Sequence, residues 1–334
     1  MNAADKSILV TGGAGYIGSH CVQQLLADGR RVVVLDDLST GFRELILTDD
    51  FVEGSTRDAD VLARIFRRHD IGLVMHFAAS AYVGESVTDP ARYYENNVLG
   101  TLSLLQAMRR AGVNRMVFSS SCAVYGEPAA LPLTEDHPLS PVNPYGFTKR
   151  VAEAMLADFA RAYDFRSVSL RYFNAAGADP HGRLGEMHDP ETHLIPCILQ
   201  VVNGDREAVT VYGADYDTPD GTCIRDYIHV EDIAQAHRLA MAHLEGGGES
   251  RVYNLGTSHG HSVREVIAIC RAVTGAEIPV REAPRRPGDP PRLTADAGRI
   301  TRELGWKPAY TRLDAMVETA WRWHNRKNLL SLPR

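Results

Sequence analysis

Tyr145-Gly146-Phe147-Thr148-Lys149 follows Pro144 and sets a phenol and an amine four residues apart. On a helix those positions share one face. A lysine there holds its charge near the tyrosine oxygen, lowers the phenol pKa from a reference of about 10 and favours phenolate. Ser119-Ser120-Ser121 follows the apolar run Met116-Val117-Phe118. A hydroxyl at the end of such a run can bond a substrate hydroxyl and relay its proton, or merely end a strand. In the second half, Arg225 and Arg286, the latter near Asp289, carry planar guanidinium forks. Those forks suit a diphosphate or a surface carboxylate equally well. His188 and His193 are the histidines closest to a metal pair, but their spacing and surroundings match no familiar site. No metal is expected.

These side chains need a scaffold, and it starts at Leu9-Val10-Thr11-Gly12-Gly13-Ala14-Gly15-Tyr16-Ile17-Gly18. Ile8, Leu9 and Val10 are apolar without a break, and then Ile17, Cys21 and Leu25 recur at helical spacing. The stretch reads as a buried strand, a glycine-rich turn and the first turn of a helix. Unpaired backbone N–H groups at that helix start attract a phosphate, and glycines let the backbone approach it. The spacing of Gly12, Gly15 and Gly18 is G-x-x-G-x-x-G rather than the commoner G-x-G-x-x-G. A second strand, Arg31 to Leu35, ends in Asp36, near the ~20-residue offset of an acid on the adenosine ribose. Asp36 would repel a 2′-phosphate, so NAD is expected rather than NADP. Asn96, on the helix after the fourth strand, is a backbone anchor or a cofactor contact.

Further strands are predicted at Phe51–Glu53, Leu73–Phe77, Met116–Phe118 and Val168–Leu170, with helices between them. Continuous apolar strands alternating with helices imply an α/β fold, a doubly wound parallel sheet (Rossmann) covered on both faces. Ligands bind such sheets beyond the carboxyl ends of the strands, where Gly12, Asp36, Phe77 and Ser121 fall. The helices predicted at Tyr93–Met108 and Val151–Tyr163 are apolar on more than one side. That breadth fits a thick core or a subunit interface, and a homodimer is expected. After Asn174 the chain turns irregular, with Gly, Pro, Asp and His crowding 175–196. Helices follow at Leu194–Val202, Val230–His243, Val263–Thr274, Ala297–Leu304 and Leu313–His324. Tyr227–Val230 and the helix after it read as a return to the first domain. The division predicted is a cofactor domain, 1–173 and about 226–258, with a smaller C-terminal α/β substrate domain, 174–225 and about 259–334.

The 334 residues suffice for two lobes, and hydrophobic and charged shares of 44% and 23% are those of a globular protein. A net charge of -6 argues against a general nucleic-acid binder. Five scattered cysteines, odd in number and without metal-ligand spacing, read as reduced thiols in the cytoplasm. Asp5 and the immediate strand argue against a signal peptide, and no apolar run approaches the ~20 residues of a membrane span.

Taken together, Thr11–Gly18, His76-Phe77-Ala78-Ala79, Val83-Gly84-Glu85-Ser86, Ser119–Ser121, Tyr145 with Lys149, Arg171-Tyr172-Phe173-Asn174 and Asp220 through Val230 carry a resemblance. The chain resembles the UDP-glucose 4-epimerase family of extended short-chain dehydrogenase/reductases along nearly its whole length. The resemblance implies tightly held NAD, proton removal from the sugar 4-hydroxyl by Tyr145 with Ser121, hydride transfer from sugar C4, and return of hydride to the opposite face. It implies that Lys149 holds the nicotinamide ribose and supports Tyr145. It puts Gly12, Gly15, Tyr16, Ile17, Gly18, Asp36, Phe77 and Asn96 at the cofactor. Asn174, His193, Leu194, Tyr212, Arg225, Arg286, Asp289 and Leu293 fall around the nucleotide sugar.

The chain departs from some members of that family. Ser55 stands where some have an aspartate for adenine, Ala81 where some have a lysine near the cofactor pyrophosphate, His193 in place of an asparagine, and Leu293 in place of a tyrosine. Leucine frees room near the sugar C2 substituent, so some turnover of N-acetylated sugars is expected. The nearest rival reaction is UDP-xylose/UDP-arabinose epimerisation. Nucleotide-sugar 4,6-dehydration would want Thr-Asp-Glu where this chain has Ser121-Cys122-Ala123. A non-catalytic NAD-binding regulator would not need Tyr145, Lys149 and Ser121 together.

Overall fold

The computed structural model describes residues 6–286 and 289–331; Asp5, on which the signal-peptide expectation partly rests, lies outside them. The strands are β1 (Ser7–Thr11), β2 (Val32–Asp36), β3 (Phe51–Glu53), β4 (Ile71–His76), β5 (Arg115–Ser121), β6 (Arg166–Tyr172), β7 (Asn174–Ala176), β8 (Val209–Tyr212), β9 (Ile224–His229), β10 (Arg251–Leu255), β11 (Gly260–Ser262), β12 (Val280–Ala283) and β13 (Arg292–Leu293). Seven of them form one parallel sheet in the order β10-β6-β5-β4-β1-β2-β3. The direction of winding reverses between β1 and β4, and a doubly wound sheet opens its ligand crevice at such a point.

Both faces of this sheet are covered, which is why β1 and β2 read as nearly unbroken apolar runs. On one face Ile8, Val10 and Val34 pack with Val22 and Leu25 of helix Tyr16–Ala27 and Ile233 and Ala236 of helix Val230–Glu245. On the other, Leu9, Val33 and Val74 pack with Leu62, Leu104, Leu105 and Leu156 from helices Ala59–Arg68, Gly100–Arg110 and Pro144–Tyr163. The helix predicted at Tyr93–Met108 begins earlier and is not uniform. Asp89 accepts from the Arg92 amide and Pro90 takes the first position, where no N–H is needed. The run continues through a π-helical turn, Tyr94–Leu99, into Gly100–Arg110. The last helix, Leu313–Ser331, extends past the predicted end at His324.

The second half builds smaller sheets. β9 pairs with β11 on one side and β13 on the other, β7 also joins β9, and β12 pairs with β8. β9 thus pairs outside the large sheet, although its Ile228 packs in the core on that sheet's face. The reason lies in Asp226, fully buried in β9. Its carboxylate accepts from the amides of Thr257, Ser258 and Ala295, tying β9 to the segments beside β11 and β13. The chain rejoins the large sheet through helix Val230–Glu245 and then β10. Among the described residues no helix is long and apolar enough to cross a membrane.

Candidate active site

The turn after β1 is shaped by close approach. Gly12 has φ +76°, and a Cβ there would sit 2.5 Å from the Ala78 amide nitrogen. A Cβ on Gly18 would strike the Gly12 carbonyl, so this glycine lets the helix lie against the turn. At Gly15 a Cβ would meet only the Gly12 oxygen, at 3.4 Å. The outward side of the turn is thus open to a phosphate at a helix N-terminus. Asp36 ends β2 and is nearly buried; its two oxygens accept from the amides of Ala14 (3.0 Å) and Leu38 (2.9 Å). Burial raises its pKa while the two amides pull it down. A carboxylate oxygen has a second lone pair, so Asp36 can shape the turn and still accept from ribose hydroxyls. The cradle fits a dinucleotide. Ile17 packs half-buried on the core, and Phe77 lies against the His237 ring, centroids 4.6 Å apart. Ser55 is half-buried and Ala81 exposed.

Tyr16, though at the helix start, reaches across the molecule: its hydroxyl donates to the Gly177 carbonyl at 2.6 Å. The Asn96 side-chain amide donates to the Ser80 hydroxyl, at 3.1 Å. Its neighbour Asn97, which sequence reasoning passed over, is buried and accepts from the Ser80 amide while donating to the Ser80 carbonyl and the Thr148 hydroxyl. It joins the segment after β4 to the helix of Tyr145. His76, part of the run His76-Phe77-Ala78-Ala79, is fixed beside it. Its ring is hydrogen-bonded to Thr11 (2.7 Å) and Thr101 (3.0 Å), and burial, then nearby Lys149, pushes its pKa down to about 3.

Asn143 caps helix Pro144–Tyr163 by accepting from the Gly146 amide, which sets Tyr145 and Lys149 on the face toward β5. The Lys149 ammonium donates to the Ser119 carbonyl at 2.8 Å and lies 5.9 Å from the Tyr145 ring centroid. Burial lowers its pKa to about 7 against the pull of Glu153. Burial also pushes Tyr145 up to about 12, opposed by a hydrogen bond with Ser121. Both shifts favour the neutral forms, and Lys149, which donates to Ser119, is not among the groups that move Tyr145. The expected lowering of the phenol by Lys149 is therefore corrected, because burial outweighs it, and only added positive charge at this site would favour the phenolate. Beneath them Glu153 pairs with Arg171 at 2.5 Å, both nearly buried, and Arg171 donates to the Tyr125 hydroxyl.

On the opposite side, β13 places Leu293 beside Arg225 of β9, and Leu293 packs against the cluster that holds Tyr125 and Phe173. Arg225 pairs with Asp289 and donates to the Ile224 carbonyl. The Arg286 guanidinium stacks over the Tyr212 ring at 4.0 Å. Asp289, Arg286, Arg285 and Tyr216 line a cavity of about 510 Å³, within the usual range for a small-molecule site. Asn174 lies in β7, in register with Tyr227. Leu194 opens helix Leu194–Val202 and packs on its core.

His193 precedes that helix but does not cap it. Its side chain turns to two carboxylates, Glu186 and Glu191, each 2.9 Å from Nδ1. His188 faces the same pair. Burial resists protonation of both rings, yet the carboxylates raise them to about 9 for His188 and about 10 for His193. The sequence expectation found no familiar spacing here; the fold brings the two histidines together with acids that had not been singled out. The signal in the sequence was a repeated pair, Glu186-x-His188 and Glu191-x-His193.

The profile of the NAD dependent epimerase/dehydratase family matches residues 8–256. The chain belongs to this family. Among its family relatives, a UDP-glucose 4-epimerase of Halalkalibacterium halodurans is 54% identical over 95% of both chains. The crystal structure of UDP-glucose 4-epimerase from Brucella ovis in complex with NAD is 51% identical, covering 95% of this chain and 97% of that one, with a TM-score of 0.92. A UDP-glucose 4-epimerase from Stenotrophomonas maltophila with bound NAD and formylated UDP-arabinopyranose is 41% identical, covering 98% and 100%, with a TM-score of 0.94. The family match spans both the glycine-rich turn and the Tyr145 helix.

Proposed function

We propose that this chain is an NAD-dependent isomerase that interconverts UDP-glucose and UDP-galactose by inverting sugar C4. The observation that carries the reading is the meeting of Tyr145, Ser121 and Lys149 at the carboxyl edge of the sheet that also bears the dinucleotide cradle. Gly12, Gly15, Gly18 and Asp36 would hold the cofactor with Tyr16, Ile17, Phe77 and Asn96 about it, and Lys149 would hold its nicotinamide ribose. Bound NAD supplies the reversible hydride acceptance that inversion at a carbinol carbon requires. Tyr145 takes the C4 hydroxyl proton, and Ser121 holds that hydroxyl and can relay the proton. Lys149 keeps a positive charge near the phenolate. Arg225 and Arg286 bind the diphosphate, with Asp289 orienting Arg225 and Tyr212 supporting Arg286. Asn174, His193 and Leu194 border the nucleotide sugar, and Leu293 lies toward the C2 substituent. No acid stands at Cys122 or Ala123 to expel water, so dehydration is disfavoured.

The large sheet with residues up to 173, helix Val230–Glu245 and β10 would form the cofactor domain, and the remainder the nucleotide-sugar domain. A homodimer through the helices beside Tyr145 is supported by their exposed apolar residues Val83, Val87, Tyr94, Leu99 and Phe147. Free thiols throughout agree with a cytoplasmic location. The test is to incubate untreated purified protein with UDP-galactose or UDP-xylose and separate the products. UDP-glucose from the first supports the reading. Conversion of the pentose alone replaces it with the pentose reaction, and no conversion of either removes it. Sedimentation of the same sample measures the dimer.

A further inference from the structure

We propose that Glu186, His188, Glu191 and His193 bind one zinc-class divalent cation that clamps the irregular loop before helix Leu194–Val202. The four residues form two Glu-x-His pairs, and i, i+2 side chains of extended chain point the same way. Here the fold turns the two pairs toward each other. Each residue offers one donor atom, and the four atoms lie within 4.8 Å of one another.

Charge requires something at this point. Glu186 and Glu191 are 7% and 6% exposed, and buried carboxylates must be matched by positive charge. Two imidazolium protons or one divalent ion would supply it. The geometry favours a single shared charge. His193 Nδ1 hydrogen-bonds Glu191 and stands as close to Glu186, at 2.9 Å each, but one N–H has one direction and leaves Glu186 without that bond. His188 Nδ1 stands 3.1 and 3.4 Å from the same two acids, yet it is buried and makes no hydrogen bond of acceptable angle. The two rings are 4.9 Å apart between centroids, where two imidazolium charges would repel. A cation at the centre attracts all four groups without regard to direction and lets both imidazoles stay neutral.

The donors also select the ion. Two imidazole nitrogens and two carboxylate oxygens suit Zn²⁺, whereas Ca²⁺ and Mg²⁺ want oxygen alone. Outer contacts hold the ligands as metal sites require. The Glu191 carboxylate accepts from the amides of Thr192 and His193, and Arg206 donates to the Glu191 carbonyl at 2.6 Å. The rings of Tyr16 and Tyr82 stand edge-on to His188, at 6.4 and 5.8 Å. The clamp would therefore fix the loop 186–193 where its His188 meets Tyr16 and Tyr82. The proposal does not depend on which sugar the protein turns over.

The test uses untagged protein with its cofactor retained, dialysed against chelator and then metal-free buffer. Titration with ZnCl₂ followed by calorimetry should give one equivalent, and the thermal midpoint should rise with zinc. Cobalt should give the visible absorption of a four-coordinate centre. His188→Gln and Glu186→Gln, which lie outside the proposed catalytic groups, should each weaken zinc binding by at least about tenfold and abolish the thermal shift. Their folding is checked by retained nucleotide and circular dichroism. If wild type takes up no equivalent of zinc, or if a folded variant binds it as tightly as wild type, the cluster is an ion-paired quartet and the proposal fails.

Discussion

The two sides of the candidate site are built from different materials. The cofactor side hangs on strand ends of one parallel sheet, and beside the charged Asp36, Lys149 and Glu153–Arg171 it uses neutral contacts: Thr11 with His76, Asn97 with Ser80 and Thr148. The substrate side comes from loops and short strands and is held by charge: Arg225 with Asp289, Arg286 over Tyr212, and two histidines against two glutamates. A sheet edge fixes its side chains through register, so neutral hydrogen bonds suffice to orient them. Loops lack that frame, and strong directional or ionic contacts must replace it.

The sharpest way to sharpen this comparison is Tyr145→Phe. It should remove the base while leaving both sides folded, cutting turnover by roughly 10²–10⁴. Nucleotide released on denaturing the variant should match wild type, and full activity would take Tyr145 out of the chemistry. Next comes the charged side. Arg286→Leu should lose a charge-assisted contact of about 1.5–3 kcal/mol, raising KM about 10–100-fold with little change in kcat. A fall in kcat alone would place Arg286 on the wrong side of the comparison.

Acid should strike the neutral side. His76 and His237 are buried, with pKa values lowered to about 3 and about 4 chiefly by desolvation. Their unfolded counterparts titrate near ~6.5, so the unfolded chain binds more protons below that pH. Stability is full above ~6.5 and falls as pH drops toward the folded values, by roughly 2 kcal/mol for each histidine between pH 7 and 5. Chemical denaturation at both pH values, with His76→Asn for comparison, measures this; an equal loss in the variant would exclude His76 as a source. The smallest effect concerns the sugar. Leu293→Tyr should lower kcat/KM for UDP-N-acetylglucosamine relative to UDP-glucose by roughly tenfold. An unchanged ratio would remove Leu293 as the gate.

Legibility in the sequence follows the same divide. The parallel sheet could be anticipated because strands buried on both faces are largely apolar, as in Ile8–Val10 and Val32–Leu35. The residues just beyond such strands, Gly12, Asp36, Phe77 and Ser121, lay on the ligand edge as a consequence. Asn97 was hidden beside Asn96 because burial separates two identical neighbours, and burial is not a property of either residue alone. Which sheet β9 pairs in was not legible, because an apolar run does not say which sheet it joins; Asp226 and its three backbone partners tie it to the smaller one.

By itself the sequence determined the alternation of strand and helix, the winding of the large sheet, and the Tyr145–Lys149 face. Each of these rests on contacts between residues close in the chain or on a period of burial, and both are written locally. The tertiary structure alone decided that Tyr16 bonds Gly177, that Arg286 lies over Tyr212, and that two Glu-x-His pairs close on one point. Those contacts join loops whose paths depend on what they pack against. No local periodicity encodes where such loops meet, and only the assembled core brings them within bonding distance.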